Sequence, residues 1–266
     1  MDKKLRLTIL GCRGSTPVSG DKYCKYGGST SCYLVEAIPE GSRIIVDAGS
    51  GIRNISAAGQ KNIRLLITHS HIDHIIGLPV FSPLSDKECK IDICLKAREG
   101  LSGKEQLDRF ISRPLWPCTL EYYGAGIQVH DIENISSIAP PIKITCMESN
   151  HPGGSTIYRF KYEGKSIVLA TDFEHDSAPD GYTAELIEFA KNADILLYDS
   201  QYTDEEYASH RGFGHSTPTE GLRIKELSHA KRLIFTHHSP EHDDAFLDRL
   251  SECYGEFAKE GDVIEL

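Results

Sequence analysis

The chain predicts a layered α/β architecture with helices outside a β core, and three observations carry that expectation. Short apolar runs of strand length recur along the sequence, stretches with apolar residues at helical spacing lie between some of them, and His or Asp repeatedly stands where a run ends. The strand-like runs cover residues 5–10, 32–35, 43–46, 63–67, 91–95, 142–146, 156–162, 166–170, 195–198, 232–235 and 263–266. Ala184, Leu186, Ile187, Phe189 and Ala190 form one helical stripe, Leu222, Ile224 and Leu227 a second, and Ala245, Phe246, Leu247 and Leu250 a third. Thr217 as N-cap, Pro218 at the first helical position and Glu220 as capping-box partner predict where the second helix begins.

With 266 residues and 39% hydrophobic content, the chain has room for one large core or two small ones. No linker, repeat or low-complexity segment divides it, so a single domain over residues 1–266 is expected. The 29 Lys and Arg against 39 Asp and Glu give a net charge of −10, which argues against a broad footprint for long nucleic acid. Eight cysteines (Cys12, Cys24, Cys32, Cys89, Cys94, Cys118, Cys146 and Cys253) form no CxxC pair and no dense framework, which predicts a reduced, cytoplasmic protein. The run at 5–10 mimics a leader peptide ending at Cys12, but it is short and broken by Arg6 and Thr8, so it reads as the first strand. No segment approaches membrane-spanning length.

The densest chemistry lies at residues 68–74, Thr-His-Ser-His-Ile-Asp-His, directly after the run at 63–67. Side chains alternate in extended chain, so His69 and His71 point the same way and can grip one metal ion. As the chain turns, Asp73 and His74 can swing to a second ion beside it. Imidazole with carboxylate suits zinc, iron or manganese, so two divalent ions are expected, zinc first and manganese as the alternative. Later strand ends and loops add Asp47, His151, Asp172, Asp199 and the adjacent pair His237 and His238.

Here the chain resembles the metallo-β-lactamase superfamily, in its His-x-His-x-Asp-His motif followed by a separate His, an Asp and a final His. The resemblance implies an αββα sandwich of two mixed sheets with outer helices. It implies that His69, His71 and His151 hold one ion, that Asp73, His74 and the final His hold the other, and that Asp172 bridges both. His237, which directly follows a strand, is preferred over His238 as the final ligand. Asp47 and His238 are expected behind the ligands, Asp47 orienting the first metal-binding loop.

Two segments narrow the branch. Residues 11–17, Gly-Cys-Arg-Gly-Ser-Thr-Pro, and residues 26–31, Tyr-Gly-Gly-Ser-Thr-Ser, resemble the Gly-rich opening of the ribonuclease Z and cyclic-nucleotide phosphodiesterase branch. Such loops can offer backbone N–H groups to an anion, and Arg13 is expected to contact substrate. Residues 214–220, Gly-His-Ser-Thr-Pro-Thr-Glu, place His215 just before a helix N-terminus, where the dipole favours a phosphate, with Ser216 and Thr217 as further substrate contacts. The segment resembles the His-Ser/Thr motif of ribonuclease Z, whose His assists phosphodiester cleavage. The long tRNA-binding arm of that family has no counterpart: residues 173–194 leave room only for an ordinary helix.

The expected function is therefore hydrolysis of a small phosphodiester, a 3′,5′- or 2′,3′-cyclic nucleotide, by a hydroxide bridging two ions. Asp73 is expected to orient that hydroxide, and His215 to donate a hydrogen bond to the phosphate or a proton to the leaving oxygen. Endonucleolytic tRNA 3′-end processing and lactonase activity are the rival activities, and a catalytically silent nucleotide-binding protein is the rival of another class. Trp116, Tyr122, Tyr123 and Tyr202 or Tyr207 are placed to stack on a base, or to serve as plain core aromatics. Residues 102–126 read as an insertion able to form a lid or a dimer contact, and a homodimer is expected.

Overall fold

The computed structural model describes residues 3–55, 60–132, 135, 138–176, 178 and 180–266. Its strands are β1 (Lys4–Gly11), β2 (Cys32–Ile38), β3 (Ser42–Val46), β4 (Asn62–Ile67), β5 (Lys90–Leu95), β6 (Gly126–His130), β7 (Lys143–Ser149), β8 (Ser155–Tyr162), β9 (Lys165–Ala170), β10 (Ile195–Asp199), β11 (Arg232–Thr236) and β12 (Val263–Glu265). The α-helices are α1 (Ile72–Ile75), α2 (Gly103–Phe110), α3 (Tyr182–Phe189), α4 (Asp204–His210), α5 (Pro218–Ser228) and α6 (Asp244–Tyr254).

One seven-stranded sheet runs β12-β1-β2-β3-β4-β5-β6 and a five-stranded sheet runs β11-β10-β9-β8-β7. Both are mixed. In the first, β1, β2 and β3 pair antiparallel and β3 to β6 parallel. In the second, β7, β8 and β9 pair antiparallel and β9, β10 and β11 parallel. Inner strands covered on both faces need continuous apolar runs, and β10, Ile-Leu-Leu-Tyr-Asp, is buried at every position.

Three apolar clusters define the layers. Leu5, Leu7, Val35, Ile44 and Val46 of the first sheet meet Ile144, Phe160, Leu169, Leu197 and Ile234 of the second. The outer face of the first sheet packs Leu65, Ile67 and Ile93 against Ile75, Leu78 and Leu107. The outer face of the second packs Val168, Leu196 and Phe235 against Leu186 of α3, Ile224 of α5 and Leu247 of α6. The αββα sandwich expected from the resemblance is the observed architecture.

The second helical stripe differs in part from expectation: Ile224 is buried, but Leu222 and Leu227 are exposed, and α5 buries Gly221 and Ser228 in their place. The cause is close approach, because a Cβ at Gly221 would press on the Phe235 and Tyr198 rings. At the start of α5 only half of the expected capping box forms. Thr217 Oγ1 accepts from the Glu220 amide, while the Glu220 carboxylate turns to Arg223. No described helix is long and apolar enough to cross a membrane, and all eight cysteines are free thiols.

Candidate metal centre

The parallel strands of both sheets end at one edge of the sandwich, and the loops that follow them carry the reactive side chains. Asp47 follows β3, residues 69–74 follow β4, His151 sits in the β7–β8 turn, Asp172 follows β9, Asp199 ends β10 and His237 follows β11. Asp47, Asp172 and His237 all have positive φ, at 62°, 56° and 62°. Left-handed backbone is costly for residues with a Cβ and persists where surrounding structure enforces it. Here it turns each side chain sharply from the strand end into the shared space.

Two separate groups of candidate ligand atoms result, and a third, Asp199 with His215, overlaps one of them through Asp172 and His237. His69, His71 and His151 form one; Asp73, His74, Asp172 and His237 form the other, and within each group the atoms lie within 4.8 Å of one another. Asp172 lies between the groups. Its Oδ1 is 3.8 Å from His69 Nε2, 4.0 Å from His151 Nε2 and 3.2 Å from His237 Nε2, and its Oδ2 is 3.2 Å from His74 Nε2. The nearest ring of the neighbouring pair is His237, whose side chain enters the group. His238 points away, with Nε2–H donating to the Ala258 carbonyl at 2.9 Å, and burial lowers its pKa to about 3.

Whether these residues fit metal ions is decided by atoms that lack partners. His69 Nε2, His74 Nε2, His237 Nε2 and Asp172 Oδ2 are buried without a hydrogen bond in the protein, and all four face the same space. Unpartnered buried polar atoms are rare and costly, and four converging ones are what a bound cation relieves. The opposite ring atoms are anchored. His74 Nδ1–H donates to Asp47 Oδ2 at 2.8 Å, His151 Nδ1–H to the Gly214 carbonyl at 3.0 Å, and His237 Nδ1 lies 3.2 Å from Ser31 Oγ. Anchoring one nitrogen fixes the tautomer and aims the other as a donor.

Protonation agrees with that reading. Burial holds His69 well below the ordinary histidine range, with the charge of His74 adding to it, and burial likewise lowers His71 and His151, so all three offer neutral lone pairs. Asp172 is held well below the carboxylate range: burial opposes this, but His237 and His74 outweigh it. His74 is raised despite its burial, because Asp172, Asp73 and Asp47 surround it. A divalent cation supplies the positive charge that a proton on His74 supplies otherwise.

The remaining expectations divide. His215 lies against the centre, its ring stacked on His237 at 5.0 Å and edge-on to His151 at 5.3 Å. Its Nδ1–H donates to Asp199 Oδ2 at 2.9 Å, and although burial opposes the charged form, Asp199 raises its pKa. Asp199 is saturated: Oδ2 also accepts from the Asp172 amide and Oδ1 from the Gln201 and Ser216 amides. That makes it an orienting carboxylate for His215 rather than a further metal ligand.

The three expected substrate contacts have partners within the protein. Arg13 is fully buried and donates to the carbonyls of Gly27, Ser239 and His242, so its guanidinium ties loops together. Ser216 is buried with Oγ against Tyr198 Oη and His175 Nδ1, and Thr217 is a buried helix cap. The Gly-rich loops do receive anions, but the protein's own. Ser15 N–H donates to Asp73 Oδ2, and the amides of Gly28 and Ser29 to Glu260 Oε2. Gly14 is needed where it stands, since a Cβ there would run into His237 and Gln201.

Among the aromatics, Trp116 Nε1–H donates to Tyr123 Oη, which donates to the Pro79 carbonyl, so this pair braces the fold. The carboxylate of Glu174, given no role from sequence, accepts from the amides of Gly212 and Gly214 and from Tyr207 Oη, pinning the loop before His215. Asp199 was visible as a strand-end acid; Glu174 had no such signal.

Comparison with known proteins agrees with this fold. The chain is 23% identical over 317 aligned positions to a ribonuclease Z of Haloferax volcanii, covering 98% of this chain and 95% of that one. Among solved structures, the metallo-β-lactamase fold protein YhfI of Bacillus subtilis superposes with a TM-score of 0.72 at 21% identity over the whole of both chains. A diphosphatase from the PhnP family gives 0.70 at 23% identity, covering 98% of each. The family model described as the β-lactamase superfamily domain matches residues 42–238, a span that begins with β3 and ends just past His237, and to that family this chain belongs.

Proposed function

We propose that the protein is a binuclear metal-dependent phosphodiesterase acting on small cyclic nucleotides. The observation that carries the reading is the convergence of four unpartnered buried donor atoms beside a histidine poised by its own carboxylate. His69, His71 and His151 would hold one ion, Asp73, His74 and His237 the other, with Asp172 shared. When bound, such ions neutralise phosphoryl oxygens and make water a nucleophile near neutral pH. The protein's own groups do the rest. Asp73, fixed by the Ser15 amide, orients the attacking water; burial opposes its charge, but flanking His74 and His237 outweigh it and keep it ionised. His215, held by Asp199, keeps a proton on the nitrogen turned from that carboxylate and delivers it to the leaving oxygen.

A small substrate is favoured by the net charge of −10 and by the short stretch between Asp172 and β10, which holds α3 and no long arm among its described residues. The second reading, tRNA 3′-end endonuclease, is favoured by the relatives named ribonuclease Z. The test is turnover of 3′,5′- and 2′,3′-cyclic nucleotides, precursor tRNA and a lactone on zinc- or manganese-loaded protein, against a chelated control. Metal-dependent opening of a cyclic nucleotide supports the reading; cleavage of tRNA or lactone alone overturns the substrate assignment.

A further inference from the structure

A cavity of about 370 Å³ adjoins the three-histidine group, with His69 and His71 in its wall. His215, His237 and Asp73 are not part of that wall. Its wall is largely apolar, with Phe110 of α2 and the exposed side chains of Ile72 (49%) and Leu115 (67%), beside Ser70, Glu99 and Gln106. Two arginines reach it, and they differ. Arg98 is tied to Glu148 and to Thr156 Oγ1, whereas Arg109, at the end of α2, makes no hydrogen bond or ion pair to any described residue. The volume falls within the range of small-ligand sites, and apolar walls with one uncommitted guanidinium suit a flat heteroaromatic ring, which stacks on Arg and buries against aliphatic carbon.

We infer that this cavity binds the base-bearing arm of the substrate and so sets specificity, an inference that rests on the phosphodiesterase reading and deepens it. In a cyclic nucleotide both ester oxygens sit on one sugar, so the base is reached through the oxygen that stays on phosphorus while the oxygen that leaves faces His215. A leaving group protonated by His215 must lie on the His215 side, and the cavity opens instead from His69 and His71. The insertion at residues 102–126 thereby acquires a role: α2 and Leu115 build the outer wall of the site.

Two esters with the same leaving group isolate that arm: thymidine 5′-(p-nitrophenyl phosphate) and methyl p-nitrophenyl phosphate, each losing p-nitrophenolate as water adds to phosphorus. The metal-loaded wild type should cut the nucleoside ester with a kcat/KM at least tenfold above the methyl ester. Arg109→Glu with Leu115→Asp, both at exposed positions, should shrink that ratio toward one through KM, and Arg109→Gln alone should shrink it part of the way. A wild-type ratio near one, or a ratio the variants leave intact, overturns the inference while leaving the phosphodiesterase reading in place. If neither ester is cut, the phosphodiesterase reading is decided by cyclic-nucleotide turnover. The cavity is then judged by thymidine 5′-monophosphate binding, followed by the fluorescence of Trp116, the single tryptophan. Equal affinity in wild type and variants overturns the inference; weaker binding in the variants supports it.

Discussion

The two ligand groups at the sheet edge differ in how the protein supports them. The carboxylate-containing group, Asp73, His74, Asp172 and His237, is buried at all four positions. It is braced from outside by Asp47, by Ser31 and by the Ser15 amide. The three-histidine group opens toward solvent: His71 is exposed, and the one hydrogen-bond contact of its side chain among the described residues is His151 Nε2, inside the group. A buried, charge-bearing, pre-oriented set holds an ion tightly, because nothing has to be ordered when the ion arrives. The open set trades that rigidity for access. The difference teaches that two neighbouring groups of candidate ligands need not be equivalent, and that the adjoining cavity lies on the loosely held side.

The strongest way to break this contrast is to remove the charge both groups share. Asp172→Asn preserves size and tolerates the left-handed backbone, so the loss is electrostatic. It should reduce bound metal from two ions per chain to fewer than one by elemental analysis and bring turnover to the chelated level. Retention of both ions would show that neither group depends on the bridge. Next, His71→Ala should remove one ion and leave the other, and in the wild type a chelator should withdraw metal in two phases. Loss of both ions in a single phase would mean that the groups act as one site.

His215→Ala should lower turnover by about 10²- to 10⁴-fold, the usual worth of a positioned acid, with both ions still bound. A variant that turns over normally would strike His215 from the chemistry. Asp47→Asn, which also suits its positive φ, should weaken metal binding by about 10- to 100-fold, in the buried group alone. Competition with a chelating dye measures this, and equal weakening at both groups would remove the distinction between them.

The smallest effect lies far from the centre and tests whether stability separates from chemistry. Asp194, although partly shielded from water, is held below the ordinary carboxylate value by Lys231 at 2.8 Å and by the Ser166 amide. A carboxyl depressed in the folded state contributes stability above its unfolded pKa of about 3.9, and that contribution fades as pH falls through the folded value. Asp194→Asn should therefore melt a few degrees lower at pH 7, with a deficit that narrows in acid and a kcat that does not move. A deficit that grows on acidification would assign the effect to another cause.

Much of this arrangement is legible in the sequence because the site lies where regular structure stops. The apolar runs locate β4, β9 and β11, and the His or Asp after each is then forced to the sheet edge. β6 escaped because it is an edge strand, Gly-Ile-Gln-Val-His, alternating half-buried and exposed rather than wholly apolar. α2 and α4 escaped as weak stripes, although each opens with a full capping box, Ser102 with Glu105 and Thr203 with Glu206, which the residues do announce. Arg13, Ser216 and Thr217 illustrate a different limit. Polar residues near a site look like ligand contacts until distant carbonyls and hydroxyls, such as Ser239 O and Tyr198 Oη, are seen to engage them.

The strand β12 pairs with β1, so the last residues of the chain close the sheet that the first residues begin. The centre is likewise drawn from both sheets, from the loop after β4 on one side and from His151, Asp172 and His237 on the other. A chain emerging during synthesis holds half a ligand set at position 74 and lacks His237 until the second sheet is nearly complete. Contacts so distant in sequence form late and slowly. The full set of candidate ligands is thus brought together only in the finished sandwich.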